Sequence, residues 1–239
     1  NYPGDYGTQF GKLLVAYERW GTEVEEEMKK EPIRALLKLY IKFSEESEKS
    51  PELNDEARKM FKLLEDKNRV AVDLWKKFRD LSFKEFKEFY KILGVEFDVY
   101  SGESFYNESS KEVIKELIEK KIAVESAGAL IVEFPELGTP LIVRKSDGAS
   151  IYGTRDIAAA KDRYKKYKFD KMIYVVGSDQ NLHFKQVFGT LKKMGNKWAD
   201  NCTHVNFGLI YLPEGKLSTR KGNVIFLKEV LDKTFELTM

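Results

Sequence analysis

With 239 residues, 42% hydrophobic and 33% charged side chains, 16 Gly and 6 Pro, the chain has the make-up of a folded globular protein, which excludes a collagenous, low-complexity or disordered one. Its 41 Lys and Arg nearly cancel 39 Asp and Glu, so total charge alone points to no nucleic-acid partner. A single Cys202 cannot close an intramolecular disulfide, and with only His183 and His204 beside it no structural zinc site is expected and a reducing compartment is the default.

The opening NYPGDYGTQFG resembles no signal peptide, and no apolar run reaches the roughly 20 residues of a membrane span. Because the chain starts without Met, in what reads as the middle of a motif, a fragment of a longer protein is expected. Residues 21–100 carry 17 basic and 19 acidic side chains, the mark of a solvated helical layer. In it Ala57, Met60, Phe61, Leu64, Ala71, Leu74, Trp75 and Phe78 recur at helical spacing, which predicts a buried stripe. Ser82 and Glu85 have capping-box spacing, predicting a fresh helix over Phe86, Phe89, Tyr90 and Leu93 that stops at Gly94.

Beyond residue 100 one more amphipathic helix is predicted over 112–118, and Ala129 to Phe134 and Pro140 to Lys145 read as strands. The turn Ser146-Asp147-Gly148 predicts a hairpin between 141–145 and 150–153. Thr154 is the expected N-cap of a helix to Tyr167, and Met172 to Val176 a short apolar strand. Ser178 or Asp179 should cap a helix to Met194, and His204 to Phe207 supplies the next strand. Strand, helix, strand, helix, with one strand wholly apolar, predicts an α/β fold with a parallel sheet. From Arg155 to Lys197 eleven basic residues face four acidic ones. Such a stretch suits a phosphodiester backbone, or keeps helix ends soluble, and both readings stand.

The most specific string is KLSTRKGN, Lys216 to Asn223. Hydroxyls and cations flanked by Gly215 and Gly222 have the composition of a phosphate clamp, without the spacing of a Walker loop. It resembles the KMSKSKGN loop of class I aminoacyl-tRNA synthetases, with Leu217 for Met, Thr219 for the second Lys and Arg220 for the second Ser. In that class the loop stabilises the pyrophosphate leaving group. The resemblance therefore implies catalytic roles for Lys216, Ser218, Thr219, Arg220 and Lys221, with Arg220, Lys221 or Lys216 supplying the charge of the replaced lysine.

Further strings select one family. GDYGTQFG (Gly4 to Gly11), DVYSGES (Asp98 to Ser104), the run from Ile151 to His183, HVNFG (His204 to Gly208) and STRKGNVIFL (Ser218 to Leu227) together resemble the arginyl-tRNA synthetases, in their fungal-like eukaryotic form, from end to end. That implies a Rossmann-type parallel sheet with a helical insertion. Residues 1–20 would close the first half of the catalytic domain and 21–100 form the insertion. Residues 101–212 would make the second half with the arginine and ATP sites, and 213–239 the signature loop and the start of a helix.

A guanidinium is a planar fork of five donors, so a selective site needs carboxylates placed for charge-assisted bonds and a flat or hydroxyl-bearing wall. By resemblance, Glu103 and Asp156 bind the arginine side chain, Tyr152 adds ring and hydroxyl, and Gln180 holds the substrate's backbone end. His183, on a helix leaving the C-terminal end of a strand, is better placed than His204 to touch nucleotide, and the resemblance puts the backbone of Phe207, Gly208 and Leu209 near the adenine. Singly, each has an ordinary structural reading: Asp156 favoured by a helix dipole, Glu103 a loop acid, Tyr152 a packing residue, Gln180 a helix-start polar group. Their joint spacing carries the expectation.

The implied reaction is ATP-dependent activation of arginine to arginyl-adenylate and transfer to tRNA(Arg), with Mg2+ carried on the ATP phosphates and no protein metal site. The implied protein is a monomer of the cytoplasm, or alternatively of the mitochondrial matrix, with no membrane partner. The second signature of the class, HIGH or a variant, surrounds neither His183 nor His204, and no C-terminal anticodon-reading domain follows the signature loop. A fragment inactive or very weak by itself is therefore expected. A non-catalytic tRNA-binding or scaffold fragment, and another class I synthetase, are the alternatives.

Overall fold

Amphipathic periods in the first hundred residues become five helices: α1 (Thr8–Trp20), α2 (Glu25–Lys30), α3 (Pro32–Lys49), α4 (Glu52–Glu65) and α5 (Arg69–Ile92). The computed structural model describes residues 1–149, 151–209, 211–212, 215–216 and 224–238. Two units make up the chain, Asn1–Gly4 with Tyr100–Leu209 and Asp5–Val99 with Ile210–Met239.

The second of these units is helical. Leu36, Leu39 and Phe43 of α3 meet Ala57, Phe61 and Leu64 of α4 and Ala71, Trp75 and Phe78 of α5 in one core, as the helical period requires. Gly11 of α1 lets two backbones approach closely, since a Cβ there would overlap the Ala57 carbonyl oxygen. Pro32 opens α3 in its first turn, where a missing N–H is harmless. The helix expected to start at Ser82 is instead the second half of α5, which runs unbroken from its true cap: Asn68 accepts from the backbone N–H groups of Val70 and Ala71. A capping box acts only where the chain enters a helix from outside, and neither Gly nor Pro interrupts residues 69–92. Gly94, at φ +64°, follows the helix as expected. β6 (Tyr211–Leu212) and β7 (Gly215–Lys216) pair antiparallel, and α9 (Leu227–Thr238) comes last. Arg34 of α3 lies over the Phe226 ring at 4.3 Å and pairs with Glu229 of α9 at 2.7 Å.

In the other unit, α6 (Asn107–Glu119) precedes a meander of β1 (Ala123–Ser126), β2 (Ala129–Val132) and β3 (Leu141–Arg144), all antiparallel. β1 went unread in the sequence because Ala127-Gly128, its two-residue turn with φ +49° and +78°, lacks the usual Asn-Gly wording. The hairpin expected between 141–145 and 150–153 is corrected: β3 pairs with β2, and Tyr152 already begins α7 (Tyr152–Tyr167). Thr154 is likewise no N-cap. It sits inside the first turn of α7 and its hydroxyl donates to the Val143 carbonyl at 2.6 Å, tying the helix to β3. β4 (Met172–Gly177) and β5 (Cys202–Phe207) run parallel, Met172 opposite Cys202 through Gly177 opposite Phe207, with α8 (Asn181–Lys193) as the crossover. The inward positions Met172 and Tyr174 join Ile157, Val187 and Leu191 in the core. The mixed α/β architecture with a parallel pair is as expected. No helix among the described residues is long and apolar enough to cross a membrane.

Candidate active site

The site grows from a ladder-like contact at the start of the chain. Ser101 and Glu103 donate backbone N–H bonds to the carbonyls of Asn1 and Pro3, both 3.1 Å, so the first four residues lie along the segment that carries Glu103. Glu103 then opens a 3-10 turn through Tyr106. Its carboxylate Oε2 accepts from Nε and Nη2 of Arg155, 2.8 Å each, in a pair whose side chains are 3% (Arg155) and 17% (Glu103) exposed. Charge-assisted bonds of this fork shape are strong and directional.

Helical spacing on α7 does the rest. Residues three and four apart share a face, which sets Tyr152, Arg155 and Asp156 side by side. Asp156 is buried, with Oδ2 2.5 Å from Nε2 of His183 on α8. With Asp156 ionised, that nitrogen is the donor. The Tyr152 ring lies 4.7 Å from the His183 ring, and Gly153 lets α7 pack closely on Leu141 of β3, whose side chain a Cβ would meet at 3.0 Å. Burial, then the charges of Asp156 and Glu103, raise the Tyr152 phenol above its ordinary value, so both carboxylates act on one hydroxyl.

A second layer sits behind them. Arg163, two turns along α7, donates to the Tyr174 hydroxyl at 3.1 Å and lies over the Tyr2 ring at 4.6 Å. The Tyr2 ring meets Tyr106 edge-on at 6.0 Å. Burial, then Asp156 and Glu103, hold the Tyr2 phenol well above the ordinary value. Burial likewise pushes Tyr174 up, outweighing the pull of Arg163.

Thus Glu103, Tyr152 and Asp156, expected together, are together, and His183, expected to face nucleotide, stands against Asp156 and Tyr152. Gln180 is half-buried in the 3-10 turn that follows β4. Phe207, Gly208 and Leu209 lie at the end of β5, and the Phe207 and Leu209 side chains approach Gly177 at the end of β4. Both groups therefore occupy the C-terminal ends of parallel strands, where open α/β sheets bind ligands. His204 is taken up structurally, its Nε2 donating to the Val176 carbonyl at 2.9 Å. Lys216 has its backbone in β7, while Ser218, Thr219, Arg220 and Lys221 lie outside the described residues. Among the described residues no three His, Cys, Asp or Glu side chains gather as a metal site. Sequence reasoning passed over Tyr2, Arg155 and Arg163. For Arg155 the one available signal was its place within GTRD, three residues after Tyr152.

Over residues 1–239 the sequence matches the family described as tRNA synthetases class I (R), catalytic domain. The chain belongs to the class I arginyl-tRNA synthetase family. It is 55% identical over 240 residues to the arginine–tRNA ligase of Clostridium kluyveri, covering all of this chain and 42% of that protein. The corresponding ligases of Clostridium perfringens and Halothermothrix orenii are 54% and 53% identical over 239 residues, at the same coverage. The chain thus spans 42% of the length of these synthetases. They are bacterial, and the fungal-like eukaryotic form expected from the motifs finds no support in them. In structure the chain is similar to the arginyl-tRNA synthetase of Plasmodium falciparum, with TM-score 0.73 and 26% identity over 99% of this chain and 38% of that one. The Thermus thermophilus arginyl-tRNA synthetase shares the fold, with TM-score 0.70 at 18% identity over 98% of this chain and 44% of that one.

Proposed function

We propose that this chain is the arginine-binding part of an arginine–tRNA ligase that activates L-arginine with ATP and passes it to tRNA. The observation that carries the reading is the convergence of Glu103, Tyr152 and Asp156, from two distant stretches, on one spot. Charge sharpens it: Glu103 is met by Arg155, whereas the described ion-pair partner of Asp156 is an imidazole, so a substrate guanidinium supplies the cation that Asp156 calls for. Tyr152, its ring tilted against that of His183, forms the flat wall.

Catalysis follows by positioning and charge stabilisation. Gln180 orients the amino-acid end, the arginine carboxylate attacks the α-phosphate to give arginyl-adenylate and pyrophosphate, and a terminal tRNA ribose hydroxyl then takes the acyl group. Adenine binds along Phe207, Gly208 and Leu209. Lys216, Ser218, Thr219, Arg220 and Lys221 stabilise the leaving pyrophosphate, and Mg2+ travels on the phosphates. Of the basic stretch from Arg155 to Lys197, the exposed lysines serve the polynucleotide, while Arg155 and Arg163 are taken up inside the fold. We keep residues 21–100 as the helical insertion and 101–212 as the second catalytic half. The whole-chain family match disfavours another class I synthetase, and the bacterial source of the relatives favours the cytoplasm over a mitochondrial matrix; we keep the enzyme as a monomer.

Calorimetric titration of the chain with arginine, citrulline and lysine tests the reading. Arginine alone should bind, and Asp156→Asn should weaken it roughly a hundredfold, the range of a buried charge-assisted bond. Equal binding of citrulline would overturn it.

A further inference from the structure

One group in the site is left over by everything above. The Tyr2 hydroxyl oxygen is fully covered and makes no hydrogen bond of ordinary geometry, the one buried side-chain polar atom of this kind among the described residues; the Asp156 carboxylate lies near enough to act on its proton, and the oxygen's lone pairs have no donor. Packing alone does not account for it: the ring's contacts with Tyr106 and Arg163 would be made equally well by a phenylalanine. Buried hydroxyls short of partners are rare because desolvation is not repaid. Where one persists in a site, a partner that arrives with the ligand is a sufficient reason for it.

Tyr2 is well placed for such a partner. The backbone ladder between Asn1–Pro3 and Ser101–Glu103 fixes it next to Glu103, and Arg163 covers one face of its ring. The phenol stays protonated because burial, with the charges of Asp156 and Glu103, opposes its ionisation. It is therefore a neutral group with one proton to give and lone pairs to accept, facing two carboxylates. A guanidinium held by Asp156 brings five N–H donors and no acceptor, and one carboxylate oxygen of Asp156 is already engaged by His183. A second hydroxyl acceptor, beside that of Tyr152, is what such a fork can use here.

We propose that Tyr2 is a further arginine-binding residue, whose hydroxyl oxygen accepts an N–H of the substrate guanidinium while its own proton turns to Asp156. The proposal rests on the arginine reading and adds to it a specificity contact from the first segment of the chain. A lysine ammonium, with three donors in a tetrahedral cluster, cannot serve Asp156 and the Tyr2 oxygen together as a planar fork does.

The test is Tyr2→Phe, followed by calorimetry with arginine and by melting with and without it. Without arginine the variant should melt at or above the temperature of the unmodified chain, because a buried oxygen lacking a donor has been removed. With arginine its affinity should fall about tenfold or more, and the melting shift should shrink accordingly. A lower melting temperature without arginine, or arginine affinity within twofold of the original, would overturn the proposal. If the unmodified chain itself fails to bind arginine, the arginine reading is lost and this inference with it. The two failures are thus told apart by the unmodified protein.

Discussion

Arg155 and Asp156 are adjacent in sequence yet serve opposite needs, one neutralising Glu103 and the other left with an imidazole as its described ion-pair partner. Removing one member of a buried pair strands the other charge, so Arg155→Met should lower unfolding free energy by about 3–5 kcal/mol, as read by urea denaturation. The double change Arg155→Met with Glu103→Gln should recover a good part of that loss. If the single variant is as stable as the parent, the pair contributes little and Glu103 is held by other groups. A second expectation concerns alkaline pH. Folding raises the pKa values of Tyr2 and Tyr174 above those of the unfolded chain, so the protonated phenols favour the folded state in full below pH about 10. That contribution is lost as pH climbs further. Ultraviolet titration of the 12 tyrosines should therefore show two that ionise only as the protein unfolds, and Tyr174→Phe should leave one.

At the scale of elements, two positions in the helical unit separate packing from capping. Gly11→Ala drives a methyl into the Ala57 carbonyl, a backbone atom that cannot swing aside, and should cost about 1–3 kcal/mol or more by overpacking. Asn68→Ala removes the acceptor for Val70 and Ala71 and should cost about 1 kcal/mol. Thermal melts rank the two, and a harmless Gly11→Ala would mean that α1 and α4 can slide apart. Legibility in the sequence follows the same division. Periodic stripes such as Ala57, Phe61, Leu64 and the run Met172 to Val176 were readable because burial imposes a period on residue type. The continuity of α5, the Ala127-Gly128 turn and the pairing of β3 with β2 were not, since each is decided by neighbours remote in sequence or by a backbone angle that residue names state weakly. The candidate site was half legible. Family strings named Glu103, Tyr152 and Asp156, but Arg155 satisfying Glu103 and His183 satisfying Asp156 are pairings across 52 and 27 residues, which no local pattern encodes.

For the molecule as a whole, each unit has its own core, one around Leu39, Phe43 and Phe78, the other around Leu117, Ile157 and Leu191. Arginine should accordingly protect amides selectively. At a hundredfold excess over its Kd a ligand adds about 2.7 kcal/mol to whatever it binds. Hydrogen exchange should thus slow in Asn1–Gly4 and Tyr100–Leu209 and least in α3 and α4; uniform slowing everywhere would contradict a site confined to one unit. The clip that joins Asn1 and Pro3 to Ser101 and Glu103 has a consequence for how the protein reaches this state. Holding those ends together closes a loop of roughly a hundred residues, an entropic cost of about 4 kcal/mol before the clip's own bonds repay it. Contacts so distant along the chain form late. The 27-residue separation of Asp156 and His183 is far shorter than the separation that the clip spans, so the expectation is that the Asp156 contact forms first and the Tyr2 segment docks afterwards, an order that mutational effects on refolding rate would check. Discrimination, on this account, is the last property the chain acquires as it folds.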